Sequence, residues 1–354
     1  MNMTKSANGG ATMATMFHKV AIGALIAGAA GMFATGIATL DRAAGPAPDS
    51  GHAATDGPRP TGTAAARPAE GTAYTAETPI VAAGGLVKPI NVTLAKSTGK
   101  LWDLFREHGY EIEGVRQHGR VPRLFLASLP ADIQKLAGVS KRKITFIKST
   151  LPLILHVNEL ILQDRRRLES IHQRVAGGGA LAAEDSAWLE ELAKLYGADR
   201  PDPAALLKRV DIIPPSLAIA QAAEESGWGT SRFAREGNAL FGQRAYKAHR
   251  KGIVPHKRDD GKKFRVRAFD HLIDGVKAYA HNLNSHFAYK DFRAARAGMR
   301  AETGSVDGYR LAGALKRYSE RGADYISAIR QIMRVNTLRV FDRARLGKSA
   351  APDA

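Results

Sequence analysis

The sequence predicts an α+β chain that is predominantly helical, with one small β-hairpin lobe, set behind an N-terminal transmembrane helix and a flexible linker. Three observations carry that prediction. Apolar residues recur at helical spacing over most of the chain beyond residue 140. One short segment, 252–267, changes to strand-like alternation around an Asp-Asp-Gly turn. The first 89 residues divide into an uncharged apolar run and a stretch with almost no large apolar side chains.

Residues 1–19 hold Lys5, His18 and Lys19 ahead of Val20 to Leu40, VAIGALIAGAAGMFATGIATL, which contains no charge. Its 21 residues suffice to cross a bilayer as a helix. The lysines before it put that end in the cytoplasm and the body outside. The Gly- and Ala-rich composition also suits a cleaved signal peptide, but no cleavage site directly follows the apolar core, so an uncleaved anchor is expected. Residues 41–89 are dominated by Ala, Pro, Gly and Thr, cannot bury enough surface to fold, and read as a disordered tether. A body tethered in this way works near the membrane.

The folded domain is expected over residues 90–346, with 347–354 as a frayed tail. Leu101, Trp102, Leu104 and Phe105 mark a short helix, and Val121 to Leu126 an extended segment before the Leu129-Pro130 turn. From Ser140, a helical rhythm runs through Ile144, Ile147, Leu151, Leu155, Leu160 and Leu168 to Val175, and Gly177 to Gly179 end it. Pro152 is expected to kink or split that helix. Glu184 to Tyr196 is the next helix, followed by a short one capped by Asp202 with Pro203 at its first position.

Pro214 and Pro215 then open a helix over Ser216 to Ser226, whose small and apolar residues imply burial on more than one side. Gly252 to His256 and Lys262 to Arg267 form the hairpin, turning at Asp259, Asp260 and Gly261. Helices return over His271 to Phe287, around Phe292 to Arg296, and over Leu311 to Tyr318 and Tyr325 to Leu338.

The formal net charge is +18 over 354 residues. Residues 1–80 carry five basic and five acidic residues, so the excess lies entirely in the remainder. A basic body suits a polyanionic neighbour such as nucleic acid, an anionic membrane face or an acidic cell-wall polymer, and the export segment argues against nucleic acid. Cysteine is absent, which excludes disulfides and thiolate chemistry. No HExxH pair, nucleophile elbow, phosphate loop or dinucleotide fingerprint occurs, and neither a metal nor another cofactor is expected. Asn282 and Asn284 read as surface and capping groups of their helix.

The chemistry is expected between Ile213 and Gly242. Glu224 and Glu225 end an apolar helix just before Gly227. A half-buried carboxylate there loses solvation and faces the negative end of the helix dipole, and both raise its pKa. That suits an acid that must hold a proton near neutral pH and give it to a leaving group. Trp228 and Phe241 offer aromatic surfaces for a sugar ring. Glycosidases pair such an acid with a second carboxylate or let the substrate's acetamido group attack. Asp259 and Asp260 in the hairpin are the candidates for that second role.

The run AQAAEESGWGTSRFAREGNALFGQ resembles the signature of bacterial glucosaminidases of glycoside hydrolase family 73. RYSERGADY, HNLNSHFAYKDFR and the helices from Leu151 onward further resemble the Bax-type proteins of Gram-negative bacteria, relatives of the flagellar muramidase. The similarity spans about residues 90 to 346. It implies a lysozyme-like fold, mostly helical with a small β-lobe. It also implies Glu225 as the general acid, Tyr318 as the tyrosine that orients the acetamido group or water, and Asn238, Leu240, Phe241 and Gly242 as the floor and wall of a sugar groove. Tyr325 is the second tyrosine of that pattern.

Helical geometry supports Glu225 over Glu224. Glu225 and Gln221 share a face with Ala218 and Ala222, leaving room for a ligand, whereas Glu224 lies one step round, over Leu217 and Ala220. The expected site is therefore Glu225, Tyr318 and Asp260 for catalysis, with Gln221, Trp228, Asn238, Phe241 and Tyr325 binding substrate. The implied protein is a membrane-tethered periplasmic hydrolase acting on peptidoglycan glycan strands at N-acetylglucosamine. A lytic transglycosylase and a non-catalytic wall-binding scaffold are the alternatives.

Overall fold

The structure is a computed structural model that describes residues 73–74, 90–245, 251–255 and 265–348. The expected membrane helix at 20–40 and the tip of the hairpin, with Asp259, Asp260 and Gly261, lie outside the described residues. The chain runs β1 (Ala73–Tyr74), β2 (Ile90–Thr93), α1 (Thr98–Glu107), α2 (Ile112–His118), β3 (Arg120–Val121) and β4 (Phe125–Leu126) before the long helix α3 (Val139–Ala176). Then come α4 (Ala183–Tyr196), α5 (Pro203–Leu207), α6 (Pro215–Ser226) and α7 (Arg232–Gly237). A lobe of β5 (Arg244–Ala245), β6 (Gly252–Ile253) and β7 (Arg265–Arg267) precedes α8 (Leu272–Ser285), α9 (Lys290–Thr303), α10 (Gly308–Leu311), α11 (Ala323–Val335) and β8 (Arg345–Leu346). The described residues are thus a mostly helical α+β domain.

Pro152 does not split α3, which continues through it for 38 residues, roughly 57 Å at the α-helical rise. Thr145 to Asn158 are all buried, so tertiary packing on every side holds the helix through the position where proline removes an amide. Among the described residues α3 is the helix long and apolar enough to cross a membrane, yet its apolar stretch is buried within the protein as its core helix.

Five other expectations change. Leu311 to Tyr318 is not a helix: α10 stops at Leu311, one 3-10 turn covers Ala312–Ala314, and Tyr318 sits in a turn. The segment around Phe292 extends to the full helix α9, and α11 ends at Val335 rather than Leu338. The hairpin gains a third strand, β5, with β7 central, pairing Val266 with Ile253 on one side and with Arg244 on the other. Asn284 is fully buried; it donates to the Asp211 carbonyl at 2.9 Å and accepts from Arg296 at 2.7 Å.

Elsewhere β2 pairs in parallel with β4 and antiparallel with β1, and β3 pairs in parallel with β8, which brings the end of the domain back to its start. Helix α6 lies at the centre, against α3, α10, α11 and the 3-10 segment Leu338–Arg343. Its small residues are what permit four neighbours: Leu217 to Ala223 are all buried.

Candidate active site

The site forms at the C-terminal end of α6. At the other end Pro215 occupies the first turn, where its missing amide costs nothing, and Asp342 accepts both the Ser216 N–H and the Ser216 hydroxyl at 2.8 Å. The exit is abrupt. Gly227, Trp228 and Gly229 follow with φ of 58°, 57° and 79°, and a Cβ on Gly229 would stand 2.6 Å from the Leu129 side chain. The helix therefore stops directly behind its two glutamates.

Those glutamates diverge. Glu224 points to Arg321, which donates to its Oε1 at 2.6 Å. Glu225 turns inward, and its Oε1 accepts the Tyr325 hydroxyl at 3.0 Å. Its Oε2 lies over Gly242, where a Cβ would come within 3.4 Å and where φ is 62°. Glycine there supplies both the left-handed backbone and the open space above the carboxyl.

Burial pushes the Glu225 carboxyl up, the Tyr325 hydrogen bond opposes, the Glu224 charge adds and Arg321 subtracts, leaving it at about 7. A carboxyl so placed is partly protonated at neutral pH and, once it has given up its proton, can take one back. Rings surround it. Tyr318 stacks on Tyr325 with centroids 5.5 Å apart and meets Tyr289 at 6.0 Å. Phe241 stacks on Tyr279 at 3.9 Å. Burial raises the Tyr279, Tyr289, Tyr318 and Tyr325 phenols, Tyr289 to about 12, and the nearby Glu225 charge adds to each.

Of the expected residues, Glu225, Tyr318, Tyr325, Gln221 and Phe241 come together. Gln221 and Tyr325 are both fully buried, so they support Glu225 from behind instead of lining an open groove. Tyr318 remains partly exposed. Phe241 is buried against Tyr279. Two residues serve packing. Asn238 ends α7 in the left-handed region and donates to the Phe269 and Asp270 carbonyls at 3.1 and 3.0 Å. Trp228 meets Phe146 edge-on at 5.8 Å, with the Lys143 ammonium 5.2 Å from its ring. Asp260 lies outside the described residues.

Sequence reasoning missed Tyr279, Tyr289 and Arg321. Tyr279 sits in the apolar stripe of α8, where its hydroxyl was the one polar signal; Arg321 lies in a turn that no periodicity marks. Among the described residues no group of three or more His, Cys, Asp or Glu is placed to hold a metal ion.

A family model for glucosaminidases, described as mannosyl-glycoprotein endo-beta-N-acetylglucosaminidase, matches residues 201–338, a span that contains every ring and carboxyl named around Glu225. Protein bax of Escherichia coli (strain K12) is 37% identical over 205 residues, covering 56% of this chain and 71% of that protein. The chain belongs to the Bax-type family of glucosaminidase-domain proteins. Two solved structures are also similar to it. The catalytic domain of the autolysin Auto from Listeria monocytogenes aligns with a TM-score of 0.34 and 18% identity, covering 59% of this chain and 92% of its own. A peptidoglycan hydrolase from Sphingomonas sp. A1 aligns with a TM-score of 0.28 and 22% identity, covering 46% and 93%.

Proposed function

We propose that this Bax-type protein is a peptidoglycan hydrolase that cleaves the β-1,4 bond from N-acetylglucosamine to the next sugar, with Glu225 as general acid. The observation that carries the reading is the Glu225 carboxyl: held at about 7 by burial, bonded on one oxygen by a neutral tyrosine, with its other oxygen over the bare backbone of Gly242. Membership of a glucosaminidase family supplies the substrate class.

Glu225 gives its proton to the glycosidic oxygen as the bond to the anomeric carbon breaks. The acetamido oxygen of the same sugar, or a water activated by a hairpin carboxylate such as Asp260, attacks that carbon; water supplies the new hydroxyl and returns the proton. Tyr318, partly exposed and backed by Tyr325, is suited to orient the acetamido group. Glu224 is ill suited as the second carboxylate, because its charge is spent on Arg321. The N-terminal segment 20–40 would tether the domain to the inner membrane with the site in the periplasm.

The test digests purified glycan strands with the protein and reads the products by mass spectrometry. A reducing N-acetylglucosamine end is expected, and Glu225→Gln is expected to abolish it with the fold intact. An anhydro-muramic end would instead establish a lytic transglycosylase, and a fully active Glu225→Gln protein would sink the assignment of the acid.

A further inference from the structure

We propose that Gln221 is a positioning residue that decides which oxygen of Glu225 carries the transferable proton. The proposal rests on the reading of Glu225 as general acid. Gln221 is fully buried, one helical turn before Glu225, and it links two elements across α6. Its Oε1 accepts the Tyr279 hydroxyl of α8 at 2.7 Å, and its Nε2 donates to the Tyr325 oxygen of α11 at 3.0 Å.

Tyr325 has a single proton to give. With its oxygen engaged by the Gln221 amide, that proton goes to Glu225 Oε1, at 3.0 Å. A carboxyl that accepts on Oε1 holds its own proton on Oε2. That oxygen lies over Gly242, which itself carries no side chain. The chain of bonds thus gives direction without adding charge, which a carboxylate or ammonium in place of Gln221 would do.

The titratable groups facing Glu225 are Glu224 on its own helix, Arg321 and Tyr318 from the turns before α11, Tyr325 on α11, Tyr279 on α8 and Tyr289 in the turn after it. Gln221 touches two of them, Tyr279 and Tyr325, and Tyr325 is the one that bonds to Glu225. A change in Glu225 on altering Gln221 is therefore transmitted through Tyr325.

The test uses the full chain with Gln221→Met, which keeps the length of the side chain and removes both hydrogen bonds. A companion variant, Gln221→Met/Tyr279→Phe, also removes the hydroxyl left buried without an acceptor. With the Tyr325 oxygen free to accept, protonated Glu225 gains the unproductive form with its proton on Oε1. On glycan strands kcat is expected to fall about tenfold with KM unchanged. The Glu225 carboxyl, followed by infrared difference titration against Glu225→Gln, is expected to move up by about one pH unit.

The double variant is expected to regain thermal stability lost by the single one while keeping both functional changes. A stable double variant with wild-type kcat and wild-type titration overturns the proposal and leaves the network as packing. The infrared titration needs no turnover, so it tests the relay even where an active Glu225→Gln protein has removed the acid assignment. Should both Met variants fail to fold, Tyr325→Phe removes the donor directly, and an unshifted carboxyl in that variant likewise overturns the relay.

Discussion

Asp211, in the loop before α6, and Glu225, near the C-terminal end of that helix, meet burial with opposite outcomes. Asp211 is 2% exposed, and Arg300 grips both of its oxygens at 2.7 and 2.6 Å while Arg165 and Arg296 lie within 4.0 Å. Burial pushes its carboxyl up, but the Arg300 hydrogen bonds and the charges of Arg296, Arg165 and Arg300 outweigh that and hold it below its ordinary value. Glu225 is desolvated in the same way, yet its direct partner is a neutral phenol, and its carboxyl rises to about 7. Burial is common to both. The partner decides whether the acid is a fixed anion that ties elements together or a proton held ready.

The largest effect should come from removing the proton itself. Glu225→Gln is expected to lower kcat on glycan strands by roughly 10²–10⁴-fold, with circular dichroism and thermal transition preserved. Asp211→Ala should do the reverse. It strands Arg296, which is fully buried, and is expected to cost about 3–5 kcal/mol in a denaturant titration while leaving the activity of each folded molecule intact. If Asp211→Ala instead removed activity without loss of stability, the division between anchor and acid would be wrong.

The pH dependence of stability sharpens the same contrast. The folded form keeps the Glu225 proton that the unfolded chain releases, so stability due to this group falls as pH rises from about 4.5 to about 7. The loss is on the order of 3 kcal/mol. Asp342, raised by burial to about 6, adds a slope of the same sign. Asp211, held below its ordinary value, contributes stability that is present above the unfolded pKa and lost as pH falls through the folded one. Urea midpoints at pH 5 and pH 8 check this. Glu225→Gln should narrow the gap between them, and an unchanged gap would mean that the carboxyl is not raised in the folded protein.

Much of this organisation was legible in the sequence, and the reasons differ between anchor and acid. Helix α6 was readable because proline pairs and glycine punctuate it, and Glu225 because helical spacing separates it from Glu224. The hairpin showed through its alternation. Asp211, the hub of the arginine cluster, was passed over: its partners Arg165, Arg296 and Arg300 lie 46 to 89 positions away, on α3 and α9, and no local pattern joins them. Tyr279 was hidden for the same reason, since a hydroxyl inside an apolar stripe looks like core until the neighbouring helix supplies its partner. Pro152 did not split α3, because a local preference was outweighed by burial on all sides of the helix. The helix expected over Leu311 to Tyr318 failed because this stretch turns back to place Tyr318 against Tyr325.

The smallest expected effect separates burial from neighbouring charge at Glu225. Glu224 raises the carboxyl and Arg321 lowers it, and because the two are bonded at 2.6 Å their influence largely cancels. Glu224→Gln keeps an acceptor for Arg321 but removes the opposing charge, so Glu225 then faces an uncompensated cation. Its proton should be lost sooner, moving the basic limb of the pH profile of kcat/KM down by about half a pH unit. Arg321→Gln should move the same limb up by a similar amount, and the double variant should return it close to wild type. Both shifts should shrink in high salt, because the pair is partly exposed. If neither single variant moves the limb, the proton on Glu225 is set by burial against the Tyr325 hydrogen bond alone, and the glutamate beside it has no part in the chemistry.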